Sequence, residues 1–430
     1  MVGTDALVRA LAFLYNPFPF MKSVAATLSM AVIFTLLLHQ SKSDDFVLPA
    51  EFDPQQAVWM SARPTENGRP VLDIVIQMLR VLTPHVRIRL MVPKEQIKPE
   101  VQARLRQANI DEKQITYWTT AATPTRWYRD VGAIFLKNNR GELKAVDFNF
   151  NCYGECGTGS EEAKKKEGVD REIAALAGVP VIKTPLVSEG GDREVNGQGT
   201  MMSIEGTEMK RNPGMSRDQI EHELLRVLGQ KKMIWLKRGI AEDDDAMEGP
   251  LYSNIYPIGC GHIDEMARFV APDTIALAEV TPEERDSDPI LRMTYERLEE
   301  NYRILQAATD QDGHKFKIVR MPIADPIYHE FTVQSGLEGG WDYFRGTKPG
   351  QKIRILISAS YMNFFISNGV VLEASYWQPG RPESTRRKDE QSAAILKRLF
   401  PDREVAQIHA ENLNYGGGGM HCATQQEPAP

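Results

Sequence analysis

From residue 44 onward, short apolar runs with a period of two alternate with longer runs whose apolar positions recur every three or four residues. Residues 71–82 (VLDIVIQMLRVL) put Leu72, Val75, Met78, Leu79 and Leu82 on one face, which predicts a helix. Residues 86–93 (VRIRLMVP) read as a strand. The segment SRDQIEHELLRVLG carries its own punctuation: Ser216 and Gln219 form a capping-box pattern, Ile220, Leu224 and Leu228 mark one face, and Gly229 supplies the stop. KKMIWL then returns as a strand. A longer helix is predicted from Asp288 to about Ala308, followed by strands in FKIVRMP and IRILISAS. In FFISNGVVLEAS, Asn368-Gly369 is a hairpin signal. KDEQSAAILKRLF reads as helix and EVAQIHA as strand. Strands and helices interleave without a visible linker or repeat, which predicts a single α/β domain over residues 44–430.

The 43 residues ahead of it break the pattern. Lys22 is followed by an uncharged run over residues 24–38 and then by Ser41-Lys42-Ser43, a small-x-small cleavage candidate. That is the layout of a secretory signal peptide, with Met21 as a candidate start, and the run is shorter than the ~20 apolar residues of a spanning helix. Residues 1–43 are therefore read as an N-terminal extension with a signal peptide or, as the alternative, an uncleaved anchor. The expected location is periplasmic or secreted, and cytoplasmic if the segment is not functional. Membrane contact is expected only through that segment.

Composition narrows the function classes. The 430 residues are 42% apolar and 25% charged, with a net charge of −7, an ordinary folded composition. No dense basic stripe is present to neutralise phosphates, so nucleic acid is not an expected partner. The basic run in STRRKDEQ, Arg386 to Lys388, reads as a solvated helix face. Four cysteines, Cys152, Cys156, Cys260 and Cys422, are too few for a disulfide-stapled fold, although in an exported chain Cys152 and Cys156 could pair across CYGEC.

Four patches place ionisable groups beside glycine or an aromatic. In TRWYRDVGAIFL, Asp130 follows Trp127 and Tyr128; alone it reads equally well as a turn cap or a partner of Arg129. In SEGGDREVNGQGT, Glu189 precedes two glycines, as it would in a surface hairpin. In GCGHIDEMARF, His262 and Asp264 stand two apart and would share a face in an extended segment, yet a lone His-x-Asp is common. In GGGGMHCATQQEP, Cys422 lies near a chain end, where fraying is the ordinary expectation. Together the patches hold a thiol, an imidazole and three carboxylates. That inventory fits attack by cysteine on a cationic carbon. A planar guanidinium offers N–H pairs that carboxylates accept two at a time, and its charge favours the thiolate. A metal site of Cys260, His262, His421 and Cys422, and an exported binding protein without activity, remain open readings.

The same motifs, in order over residues 57–428, resemble the agmatine deiminases and, more broadly, the bacterial-type peptidylarginine deiminases of the guanidino-group-modifying (pentein) superfamily. RWYRDVGAIF, VDFNFN, SEGGDREVNGQGT, GHIDEMARF, SYMNFFISNGVVL and above all GGGGMHCATQQEP carry the likeness. The resemblance implies a five-bladed, propeller-like fold of ββαβ units around a central site. It implies Cys422 as nucleophile, His262 as general acid and base, Asp130 and Asp264 as grips on the guanidinium, and Glu189 as the residue orienting His262. Trp127 and Gly419 would line the substrate. The reaction would pass through a covalent thiouronium adduct to a ureido product and ammonia, with no metal or organic cofactor. Agmatine is the expected small cationic guanidino substrate and peptidyl-arginine the alternative, and a homo-oligomer is possible.

Two departures stand out. IAEDDDAMEGPLYSNIYPIGC intervenes between Gly239 and Gly261; it is read first as a solvent loop and second as a lid over the site. After Gly190-Gly191, the charged residues Asp192, Arg193 and Glu194 stand where relatives carry apolar and His residues.

Overall fold

The helix expected from residues 71–82 forms over Leu72–Leu82, with Leu72, Val75, Met78, Leu79 and Leu82 buried. The capping box of Ser216 and Gln219 is made and opens helix Arg217–Leu228, which Gly229 ends in the left-handed conformation. The long helix spans Pro289–Ala307, and Asn368-Gly369 turns the hairpin of Phe365–Ser367 and Val370–Ser375. This computed structural model describes residues 45–122, 124–334 and 343–430. The signal-peptide segment expected at residues 21–43 lies outside the described residues. Phe46–Pro430 forms one compact mixed α/β unit.

Among the described residues, five sheets share one topology: a first strand, an antiparallel neighbour, and a third strand parallel to the second after a helical crossover. Three of them are Ile134–Lys137, Leu143–Asn149 and Val181–Val187; Glu194–Val195, Thr200–Ile204 and Lys232–Leu236; and Ala267–Ala271, Thr274–Glu279 and Lys317–Pro322. The fourth adds Glu404–His409 to the hairpin already named. The fifth is closed by the far end of the chain. Thr424–Pro428 pairs antiparallel with Gln55–Ser61, which runs parallel to Arg87–Met91, itself extended by Ile115–Trp118. The repeat escaped the sequence pattern because each module fills its crossover differently, with one helix, with two, or with a helix and irregular turns.

This topology positions the chemistry. In each module the connection just before the first strand carries a polar group: Asp130 before Ile134, Glu189 before Glu194, Asp264 before Ala267, Asn363 before Phe365 and Cys422 before Thr424. The C-terminal segment is therefore no tail. Every residue of Thr424–Pro428 is buried, and the ladder fixes Cys422 two residues ahead of it.

A sixth sheet stands outside the pattern: Ile255–Pro257 runs parallel to Lys352–Leu356, which pairs antiparallel with Tyr328–Thr332. It corrects the reading of residues 240–260 as a solvent loop. Ile240 through Ala246 and Ile255 through Ile258 are buried, because the insertion gains a β partner in Lys352–Leu356.

Candidate active site

The glycine run shapes the floor of the site. A Cβ on Gly418 would sit 3.0 Å from Cys422 Sγ and 3.1 Å from the Trp127 ring, one on Gly416 3.0 Å from the same ring, and one on Gly419 2.4 Å from Asn363 Oδ1. Gly419 is thus bare to admit Asn363, and Trp127 is half-buried beneath the glycines. Asn363 in turn holds the Cys422 loop: its Oδ1 accepts the main-chain N–H groups of His421 at 2.9 Å and Cys422 at 3.3 Å, and its Nδ2 donates to Cys422 Sγ at 3.0 Å.

The structure brings Cys422, Asp264, His262, Asp130 and Glu189 together, all with buried side chains. Cys422 Sγ lies 3.3 Å from Asp264 Oδ2. His262 Nδ1 lies 3.7 Å from Asp130 Oδ1 and its Nε2 3.4 Å from Glu189 Oε2. Glu189 is held by Arg211, whose Nε reaches both carboxylate oxygens at 2.8–2.9 Å. Asp130 Oδ1 accepts the Gly191 N–H at 3.1 Å, and a Cβ on Gly191 would strike His262 Nδ1 at 2.4 Å.

The expected geometry of His262 and Asp264 needs correction. They do not lie on one extended strand. His262 is extended, but Ile263–Glu265 forms a single 3-10 turn. The turn sends Asp264 toward Cys422 and His421, while His262 faces Asp130 and Glu189.

Electrostatics follow from the His262 imidazole set among buried acids. Burial alone lowers the pKa of His262, but Asp130 and Glu189 outweigh it and push it up to about 10. Burial pushes Asp130 up to about 6, assisted by Asp264 and Glu189 against the pull of His262. Burial would raise Glu189 too, yet Arg211 and His262 bring it down to about 2. The Cys422 thiol is held well above its ordinary range by burial, then by Asp264, Glu265 and Asp130. The resting pair is therefore imidazolium and thiol.

Several contributors were not singled out for these roles from sequence. Glu51 accepts from Arg129 and Arg268, both at 2.9 Å, and meets His421 Nε2 at 2.7 Å, while His421 Nδ1 meets Asp264 Oδ2 at 2.6 Å. Asp243, from the insertion, accepts the His262 N–H at 2.7 Å and the Ser358 hydroxyl at 2.9 Å, and its own carbonyl accepts the Gly261 N–H at 2.7 Å. The insertion therefore clamps the extended segment bearing His262. Asp192, one of the charged departures, is buried and accepts the Ile263 N–H at 3.1 Å. Asn363 carries a local signal that could have marked it, a polar residue inside the apolar run of SYMNFF.

Comparison with known proteins gives a consistent result. Residues 47–428 match the Porphyromonas-type peptidyl-arginine deiminase family. A protein named agmatine deiminase from Ectopseudomonas mendocina is 29% identical over 405 residues, covering 92% of this chain and 99% of the relative. Its namesake from Pseudomonas aeruginosa is 29% identical over 398 residues, covering 90% and 97%. The solved agmatine deiminase of Enterococcus faecalis superposes with a TM-score of 0.71 at 26% identity, covering 90% of this chain and 96% of that one.

Proposed function

The chain belongs to the Porphyromonas-type peptidyl-arginine deiminase family, and on that premise we propose that it hydrolyses the guanidinium group of agmatine to N-carbamoylputrescine and ammonia. One observation carries the reading. Asp264 Oδ1 is buried, ionised and without a hydrogen-bond partner among the described residues, beside the Cys422 thiol. A buried carboxylate oxygen left unpaired is costly, and a planar cation set between Asp264 and Asp130 would supply the missing N–H donors.

Docking the cation places positive charge against Cys422 and favours the thiolate, the thiol proton leaving as the cation arrives. Sγ then bonds to the guanidinium carbon, and the His262 imidazolium protonates one nitrogen, which departs as ammonia and leaves a thiouronium adduct. Neutral His262 takes a proton from water as its oxygen adds to the same carbon. Collapse breaks the C–S bond, frees the ureido product and restores the thiolate, and the spare proton leaves with ammonia as ammonium. The repeated topology supports a five-bladed arrangement around this site. The segment at residues 21–43 and the Cys152–Cys156 disulfide support an exported location.

The test is turnover of agmatine, arginine, and peptides with internal or C-terminal arginine, read as ureido product and ammonia. Agmatine should be preferred, and Cys422→Ser should lower kcat by at least about 10⁴-fold. Preference for peptides would move the assignment to peptidyl-arginine. Unchanged turnover in Cys422→Ser would remove the mechanism.

A further inference from the structure

Next to Asp130 is a loop that the mechanism above does not use. Cys152 and Cys156 are joined by a disulfide across Tyr153, Gly154 and Glu155. Cys152 and Tyr153 both hold left-handed backbone, with φ of 54° and 59°. Two consecutive non-glycine residues in that region persist only where the surroundings over-determine them. Here they do: Asn151 Oδ1 accepts the Gly154 N–H at 2.9 Å, the Asn151 carbonyl accepts the Cys156 N–H at 3.1 Å, and Asn151 Nδ2 donates to the Arg211 carbonyl at 2.9 Å.

The product of this conformation is the placement of one side chain. Tyr153 turns inward, its hydroxyl donating to Asp130 Oδ2 at 3.3 Å and its ring centroid 6.0 Å from that of His262. Phe150 meets the ring edge-on at 5.4 Å. Asp130 is thereby fixed from both sides, Gly191 N–H on Oδ1 and Tyr153 O–H on Oδ2. Without the hydroxyl, nothing among the described contacts fixes rotation of the carboxylate about its Oδ1 hydrogen bond.

We propose that Tyr153 is a positioning residue that aligns Asp130 for the incoming guanidinium, and that the Cys152–Cys156 disulfide is what holds Tyr153 there, so that substrate affinity depends on the redox state of this pair. The proposal rests on Asp130 gripping the cation. A dithiol reductant attacks Cys156 Sγ, the half-buried sulfur, and the S–S bond breaks. Two electrons and two protons pass from the dithiol, which becomes a cyclic disulfide, and Cys152 and Cys156 become thiols. The covalent restraint on the left-handed pair is then lost, and Tyr153 no longer presents its hydroxyl to Asp130.

The experiment uses the full chain and agmatine as probe, in oxidised form and after dithiothreitol, with thiol counts rising from two to four as the check on reduction. Reduction should raise KM about tenfold while kcat stays within about twofold, as expected for loss of one hydrogen bond to a charged group. Tyr153→Phe, which keeps the ring and the disulfide, should raise KM equally and no longer respond to dithiothreitol. The Cys152→Ser/Cys156→Ser double variant should show the raised KM under both conditions. A KM indifferent both to Tyr153→Phe and to reduction, in a chain that turns agmatine over, overturns this inference alone. A raised KM in the double variant with Tyr153→Phe unchanged also overturns it, by making the loop structural only. No turnover of any guanidine by the oxidised chain removes the function itself, and this proposal with it.

Discussion

Two histidines lie within the same buried centre, each between two carboxylates, and they are built differently. His421 meets Asp264 at 2.6 Å and Glu51 at 2.7 Å, and Glu51 is tied further to Arg129 and Arg268. Both of its ring nitrogens are engaged by these short contacts. His262 stands 3.7 Å from Asp130 and 3.4 Å from Glu189, and its Nε2 makes no aligned hydrogen bond. One imidazole is saturated and the other is only surrounded. A saturated group is a strut, because moving its proton breaks two strong hydrogen bonds at once. A loosely held group can exchange its proton with a substrate at small cost.

Substitution should separate them most sharply. His262→Asn should lower kcat by about 10²–10⁴-fold with a smaller loss of stability than at His421, since Asp130 can take up a proton and Glu189 keeps Arg211. His421→Asn leaves Asp264 or Glu51 without its partner and should cost about 3–5 kcal/mol, read as a lower urea midpoint. Equal losses of stability in the two variants would dissolve the distinction.

Next in size is the pH response of the looser centre. Asp130 must be ionised to grip a cation, so kcat/KM should rise through about pH 6. It should fall again toward pH 10, where His262 loses the proton destined for ammonia. Stability carries its own signs. His262 has a folded pKa raised above its ordinary 6.5, so its contribution is complete below 6.5 and is lost as pH rises through about 10. Asp130 is also raised, from 3.8, so the unfolded chain ionises first and stability falls as pH rises from 3.8 to about 6. The difference in urea stability between wild type and Asp130→Asn isolates that fall. A difference rising over the same window would mean that Asp130 is ionised lower than its burial dictates.

A smaller effect should come from the insertion. Asp243 holds the His262 backbone but touches no reacting atom, and Asp243→Ala should lower kcat by up to about 10²-fold through misplacement of the imidazole. Asp243→Asn keeps an acceptor and should recover most of the rate. If alanine has no effect, the sixth sheet serves the fold only.

Much of this was legible in the chain, and the illegible part has a common cause. Helix Leu72–Leu82 and the capped helix Arg217–Leu228 follow from local periodicity and punctuation. Asp130, Glu189, His262, Asp264 and Cys422 were found because each sits in a motif next to glycine or an aromatic. Glu51, Arg211 and Asp243 stood in no such motif. Their roles arise from partners at sequence separations of 370, 22 and 19 residues, and no local pattern encodes such pairings. The insertion was misread for the same reason: a charged stretch such as EDDD looks solvated until the N–H groups it will accept are known.

The smallest effect concerns the second thiol. Cys260 Sγ lies 3.4 Å from His262 Nδ1, the nitrogen that also faces Asp130, and Cys260 borders a cavity of about 240 Å³ with Arg211 and Gly261. Its proximity to the base could be taken for a Cys-His nucleophile pair. Burial, then Asp243 and Asp130, hold this thiol well above its ordinary range, so it stays neutral beside a charged imidazolium and offers only a weak contact. Cys260→Ser should therefore change kcat/KM by under about fivefold, the worth of roughly 1 kcal/mol. A thiol-directed alkylating agent should inactivate the Cys260→Ser variant through Cys422 as readily as wild type, and agmatine should protect both. Loss of activity on the scale of Cys422→Ser would reverse the assignment, making the loosely surrounded His262 one half of a catalytic pair with its nearer sulfur.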